Sequence, residues 1–266
     1  MAILTGAISY LGSFKSIRHY RNLYDRKIYA GEKGGANRNL IMNNPSLKRT
    51  RENMSEFGGC GLAVKAIRLG LQNFLQEKSD AHFTGRLMKM TKKINRLDAI
   101  GKQGRRDILF SSFMPMLRNI VFNTRLNLSE MMQGRFSCRH SASGDRALVT
   151  VSDLTIRQNY VPQGATHFRL QHHISVISDY TYSVKNRRYE PASSLGGVSA
   201  FEYSGYTPVL SGLTAEVEVF LPLLSGVDLP ADCVVMQCIG VEFYIRTTGD
   251  VYLPVRGGCM KVAAVF

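Results

Sequence analysis

Imidazoles, thiols and one glycine-rich turn are where this sequence could do chemistry, and none of them forms a reactive pattern. The six histidines are His19, His82, His140, His167, His172 and His173. Three of them, His167, His172 and His173, gather on one predicted strand. Imidazole is a common metal ligand. Successive strand residues point to opposite faces, however, so His172 and His173 cannot readily share an ion, and His167 shares its face with His173. The reading is a pair of exposed strand histidines, with no metal site. The five cysteines, Cys60, Cys138, Cys233, Cys238 and Cys259, are odd in number and contain no C-x-x-C pair. They read as reduced thiols. Gly58-Gly59-Cys60-Gly61 lies ahead of an apolar helical pattern. It could offer backbone N–H groups to a phosphate and lower the pKa of Cys60. Its spacing fits neither phosphate-loop fingerprint, so a plain break between two helices is expected. No G-x-S-x-G, H-E-x-x-H or G-x-x-x-x-G-K-[ST] segment occurs. The chain is therefore expected to be no enzyme, with no cofactor and no small-molecule substrate.

Charge gives a stronger signal. The net charge is +14 and the pI about 9.7. Residues 1–139 hold 25 Lys and Arg against 9 Asp and Glu, whereas residues 140–266 hold 9 against 11. The whole basic excess thus lies in the first half. Such asymmetry points to a nucleic acid, an anionic surface or an acidic protein partner. The candidate phosphate contacts fall into three groups. Arg18, Arg21, Arg26 and Lys27 alternate with Tyr10, Phe14, Tyr20, Tyr24 and Tyr29, aromatic rings that can stack on unpaired bases. Lys48, Arg49 and Arg51 stand at helical spacing with Glu52 and Glu56, as a phosphate contact, a salt-bridged helix surface or a subunit contact. Lys89, Lys92, Lys93 and Arg96 occupy one side of a helix that leads to a basic turn with Lys102, Arg105 and Arg106.

These residues are positioned by an α+β chain. Residues 1–45 read as a basic aromatic arm with a short hairpin and a Gly/Asn-rich loop. Residues 46–139 read as a basic helical region, and 140–266 as a β-rich, antiparallel, sandwich-like half. Asn44 or Ser46 caps a first helix near Pro45. A second carries Leu62, Val64, Ile67, Leu71, Phe74 and Leu75 mostly on one face. A third, capped by Asp80, carries Phe83, Leu87, Met90, Ile94 and Leu97, and a fourth runs from about 106 to 123. Beyond about residue 145 the period becomes two, in runs such as RALVTVSDLTI and CVVMQCIGVEFYIR. Val217 and Val219 alternate there with Glu216, Glu218 and Phe220, and residues 246–250 form a hairpin turn. The most apolar stretch, 108–122, falls short of the roughly 18 residues a membrane span needs. The opening residues lack a secretory pattern, so a cytoplasmic place, or one inside an assembled particle, is expected.

The run from Lys33-Gly34-Gly35 through Arg49-Thr50-Arg51-Glu52-Asn53, Glu56-Phe57-Gly58 and into the following basic helix resembles a family of small basic proteins found widely in Bacteroidota genomes. Gly240 to Tyr244 (GVEFY) is similar to that family as well. The resemblance implies no catalytic residues. Together these readings favour a non-enzymatic, self-assembling structural subunit, such as a coat, shell or filament protein. It would be a homo-oligomer whose basic half meets nucleic acid or neighbouring copies. The alternative is a cytoplasmic, sequence-nonspecific nucleic-acid-binding protein that forms no large assembly.

Overall fold

Runs of β-branched and aromatic residues with a period of two form the sheets, and the basic, 3.6-periodic segments form the helices, so the chain is α+β. The computed structural model describes residues 2–3, 10–22 and 25–266. The chain divides after Arg51 into two units, Met1–Arg51 and Glu52–Phe266.

The first unit holds strands β1 (Ala2–Ile3), β2 (Gly12–Phe14), β3 (Ile17–Arg21) and β4 (Ile28–Glu32), which form one antiparallel sheet in the order β1-β4-β3-β2. Helix α1 (Arg38–Asn43) follows, capped by the Asn37 side chain, which accepts from the Leu40 N–H. The Asn44 side chain accepts from the Ser46 N–H at the start of a 3₁₀ turn, Pro45–Leu47. That turn opens the long helix α2 (Lys48–Gly70). Tyr24 lies outside the described residues.

The second unit carries α3 (Gln72–Lys78), α4 (Phe83–Leu97), α5 (Met114–Arg118) and α6 (Leu128–Met131). Its strands are β5 (Met132–His140), β6 (Arg146–Ile156), β7 (His167–Ser178), β8 (Tyr180–Ser183), β9 (Arg188–Pro191), β10 (Ser199–Tyr203), β11 (Thr207–Pro208), β12 (Leu213–Phe220), β13 (Cys233–Arg246) and β14 (Tyr252–Val265). Strand β5 lies inside the stretch expected to be helical. A five-stranded sheet runs β10-β7-β13-β14 with β11 also on β7, a three-stranded sheet runs β12-β6-β5, and β8-β9 is a hairpin. One apolar core joins Val149, Val151 and Val217 of the small sheet to Phe168, Leu170, Ile239 and Phe243 of the large one. Another joins Val64, Ile67, Leu87 and Ile94 of the helices to Met236, Cys238, Met260 and Val262 on the large sheet. The large sheet is thus covered on both faces, which is why β7 and β13 are buried almost throughout.

Three local expectations are corrected. Helix α2 runs unbroken through Gly58, Gly59 and Gly61. Glycine costs a helix about 1 kcal/mol; close packing requires it at Gly59 and Gly70, whereas Gly58 and Gly61 have room for a side chain. A Cβ on Gly59 would lie 2.4 Å from the Tyr189 ring, and one on Gly70 would lie 2.2 Å from the Ser175 hydroxyl. The expected fourth helix shrinks to a 3₁₀ turn (Ser111–Phe113) and α5. Before it, Ile108 exchanges backbone hydrogen bonds with Tyr180. The Asp179 carboxylate accepts from the Ser111 N–H and hydroxyl, and Pro115 can occupy only a first helical turn. Asp80 sits ahead of α4 and accepts from the His82 N–H, while His82 takes the capping position.

Gly58 has open space around its Cβ position and is exposed. Gly58→Ala is therefore expected to stabilise the protein by about 0.5–1 kcal/mol through helix propensity. Gly59→Ala should destabilise it by about 1–3 kcal/mol through overpacking against Tyr189. Urea unfolding followed by circular dichroism measures both.

Candidate functional site

Buried Glu56 organises the basic region. Its Oε1 accepts from the Gly104 N–H at 2.8 Å and from Arg106 Nε at 2.8 Å. Its Oε2 accepts from Arg106 Nη2 at 2.8 Å and from Lys92 Nζ. One carboxylate thereby ties α2, α4 and the turn at 101–106. Burial alone would raise its pKa, but the Arg106 fork, Lys92 and the Gly104 N–H hold it at about 2. Asn95 and Tyr189 close the assembly by donating to the Arg106 carbonyl at 2.6 and 2.8 Å.

This corrects the expectation for Lys92 and Arg106. Both are half-buried and spent on Glu56, so neither is an open phosphate contact. Arg51 is also committed, donating from Nη1 to the carbonyls of Ile41 and Asn44 at 2.7 and 2.8 Å behind α1. Arg18, Arg21, Arg26, Lys27, Lys48 and Arg49 are exposed. The Arg18 guanidinium lies 5.6 Å from the Tyr20 ring, which stacks on Tyr29. Lys102 and Arg105 are exposed on the basic turn, where Arg105 lies 5.4 Å from the Tyr182 ring.

Lys89, Lys93 and Arg96 remain exposed on α4, with no acidic partner among the described residues. Their spacing of four and three places them on one helical face. Like charges four apart repel by a few tenths of a kcal/mol. These cations border a groove of about 910 Å³ with an apolar lining that includes Phe57, Met90, Met116, Ile120 and Val121. One wall is fixed by Arg86, which donates to the carbonyls of Val121 and Phe122 and pairs with Asp80 at 2.8 Å. The groove is not legible in the sequence because its lining comes from segments far apart in the chain, with Ile120 expected inside a long fourth helix.

The other candidates resolve into structure. His172 and His173 are buried, not exposed, because β7 is central in a sheet covered on both faces. His172 Nδ1 donates to the Val217 carbonyl at 2.7 Å and its Nε2 accepts from the Gln237 amide at 2.9 Å. His173 Nε2 donates to the Gly70 carbonyl at 2.9 Å. Desolvation pushes both rings down to about 4. No group of three His, Cys, Asp or Glu among the described residues could hold a metal. Cys60 lies within α2, and burial raises its thiol to about 11, the reverse of an activated thiolate. Burial likewise raises Cys138 to about 11 and Cys259 to about 12, and pushes Cys233 and Cys238 upward. A buried cation the sequence did not reveal is Lys78, which donates to Gln171 and to Glu242 Oε1, the latter at 2.6 Å. Nearby, Arg169 stacks on Tyr203 at 3.8 Å and lies 4.8 Å from the rings of Tyr206 and Tyr244. No helix of the described residues is long and apolar enough to cross a membrane.

No family model matches the chain, and no curated protein matches it. Among solved structures, the β-glucuronidase of Parabacteroides merdae, determined with glycerol in its active site, is similar to part of it at 10% identity and a TM-score of 0.19. The likeness covers 48% of this chain and 13% of that one. A likeness this slight carries neither a fold nor an activity across.

Arg106→Ala should cost about 3–5 kcal/mol in unfolding free energy, because it strands a buried carboxylate. Lys102→Ala on the same turn should cost less than about 0.5 kcal/mol. Denaturant titration of both variants distinguishes the two residues.

Stability should also fall in acid in two windows. Between pH 6.5 and 4 the unfolded chain protonates His172 and His173 while the folded chain does not. The stability they confer is complete above pH 6.5 and declines as pH falls, reaching about 2 kcal/mol lost per ring at pH 5. Glu56 adds a second loss as pH falls from about 4.5 to 2. Burial raises the carboxyls of Asp107 and Asp179, which opposes the first window. His173→Gln should therefore reduce the slope of unfolding free energy against pH by about one proton, read from urea titrations between pH 7 and 5.

Proposed function

We propose that this chain is a non-enzymatic, self-assembling structural subunit whose basic surface contacts nucleic acid or neighbouring copies. The observation that carries this reading is the row Lys89, Lys93 and Arg96, held outward along an apolar groove with no acidic partner among the described residues. A solubilising surface needs no apolar lining beneath its charges, and contiguous exposed apolar area favours a contact site. The buried Glu56 network supports the reading further, because it gives the groove a rigid back. We also propose that the chain is related to the small basic Bacteroidota proteins that its segment from Lys33 to Gly58 resembles.

A second reading rests on the first unit, where Arg18, Tyr20 and Tyr29 interleave cations and rings. It is nonspecific binding of a nucleic acid by a small species that does not assemble, with affinity falling steeply as salt rises.

Light scattering on a sizing column at moderate salt, with absorbance at 260 nm on the same peak, separates the two. A large, salt-resistant particle supports assembly, and a small species carrying nucleic acid supports the second reading. Replacing Lys89, Lys93 and Arg96 together with Gln should leave the melting temperature within a few degrees of the parent. The same variant should lose assembly or nucleic-acid retention. If it keeps both, the helix face is a solubilising surface.

A further inference from the structure

The groove on α4 selects between polyanions by its lining. Single-stranded nucleic acid is held by aromatic platforms on which bases stack. Of its two aromatic rings Phe83 is buried, so apart from Phe57 the accessible lining is aliphatic and thioether, from Met88, Met90, Met116, Ile120 and Val121. Methionine-rich apolar surfaces adapt to aliphatic side chains of a polypeptide. Three cations at the rim add a demand for carboxylates. The chemistry asked for is an exposed polypeptide ridge that presents acids and aliphatic or aromatic side chains side by side and carries little positive charge.

The chain itself contains such a ridge. Residues 189–245 include seven Asp and Glu and no Lys or Arg. Within them β12 is the edge strand of the three-stranded sheet, with Glu216, Glu218 and Phe220 on its outer face. The chain then passes through a 3₁₀ turn, Pro222–Leu224, to Val227 and Asp228. Phe220, Leu223 and Val227 are 38%, 66% and 50% exposed. Arg146 lies 3.5 Å from Glu218 and over the Phe220 ring at 4.8 Å, leaving Glu216 and Asp228 as the acids of the ridge with no cation partner among the described residues. The Glu216 carboxylate meets only the Thr150 hydroxyl, at 3.2 Å, among the described contacts.

We infer that the basic groove of one copy receives the acidic, apolar ridge at 216–228 of a second copy. The inference rests on the assembly reading and supplies its contact. Groove and ridge are different surfaces, so the contact is heterologous. Repetition generates a ring if the rotation closes and a filament if it does not.

Charge exchange tests this. The groove variant Lys89→Glu/Lys93→Glu/Arg96→Glu and the ridge variant Glu216→Lys/Asp228→Lys change exposed residues and leave the Glu56 network and the Glu218–Arg146 pair in place. In sedimentation velocity the wild-type protein should assemble, more weakly as salt rises. Each variant alone should remain monomeric, and an equimolar mixture should recover assembly, because each reversed surface then finds its complement in the other variant. Leu223→Ser, which alters no charge, should weaken self-association about tenfold and covers the case in which a reversed variant misfolds. A ridge variant that assembles like the wild type, or a mixture that stays monomeric with both variants folded, overturns the contact while leaving assembly standing. Nucleic acid co-purifying with the wild type and lost from the groove variant alone overturns it in favour of a polynucleotide occupant. A wild type that is monomeric at every concentration removes the assembly reading and this contact together.

Discussion

The basic region depends on one buried carboxylate. Glu56 is surrounded by α2, α4 and the turn at 101–106, and a bare carboxylate there would be strongly disfavoured. Four hydrogen bonds from Arg106, Lys92 and Gly104 make it tolerable, and in doing so they fix three segments that are far apart in sequence. The same network sorts the cations. Those that face Glu56 become structural, while Lys89, Lys93 and Arg96, one face further round α4, are left to solvent. A chain so rich in Lys and Arg therefore shows a small, placed set of open charges on this helix instead of a diffuse positive coat.

The large sheet imposes the second constraint. Helices cover one face and the small sheet covers the other, so β7 and β13 must bury whatever they carry. That includes His172, His173, Gln171 and Gln237, all essentially inaccessible. Such groups persist in a core when they are hydrogen-bonded, as His172 is between Val217 and Gln237. Lys78 meets the same rule over the central strands β7 and β13, where Gln171 and Glu242 receive its ammonium group.

Much of this was legible in the sequence because period and composition are local. Strands β6 and β12 can be read from alternation, β7, β13 and β14 from their β-branched and aromatic composition, and the turn at 246–250 from Thr-Thr-Gly-Asp. What failed were readings that require knowing what lies opposite. Gly59 looks like part of a break until Tyr189 is seen to occupy the space its side chain would fill. The histidines look exposed until the second layer is placed on β7. Lys92 and Arg106 look like phosphate contacts until Glu56, a helix away, claims them. The arm residues, the row on α4 and the basic turn were identified as cations without difficulty. Their division into structural and open ones is a long-range property that no short window contains.

The five thiols carry one more consequence. Oxidants attack thiolates, and a thiol with a pKa of 11 or 12 is almost wholly protonated near neutrality. Cys60, Cys138 and Cys259 are in that condition, and burial moves Cys233 and Cys238 the same way. Burial and protonation thus lower the reactivity of these sulfurs in the folded chain. The odd cysteine count therefore need not mark a reducing compartment, because the fold keeps these thiols protonated and largely covered.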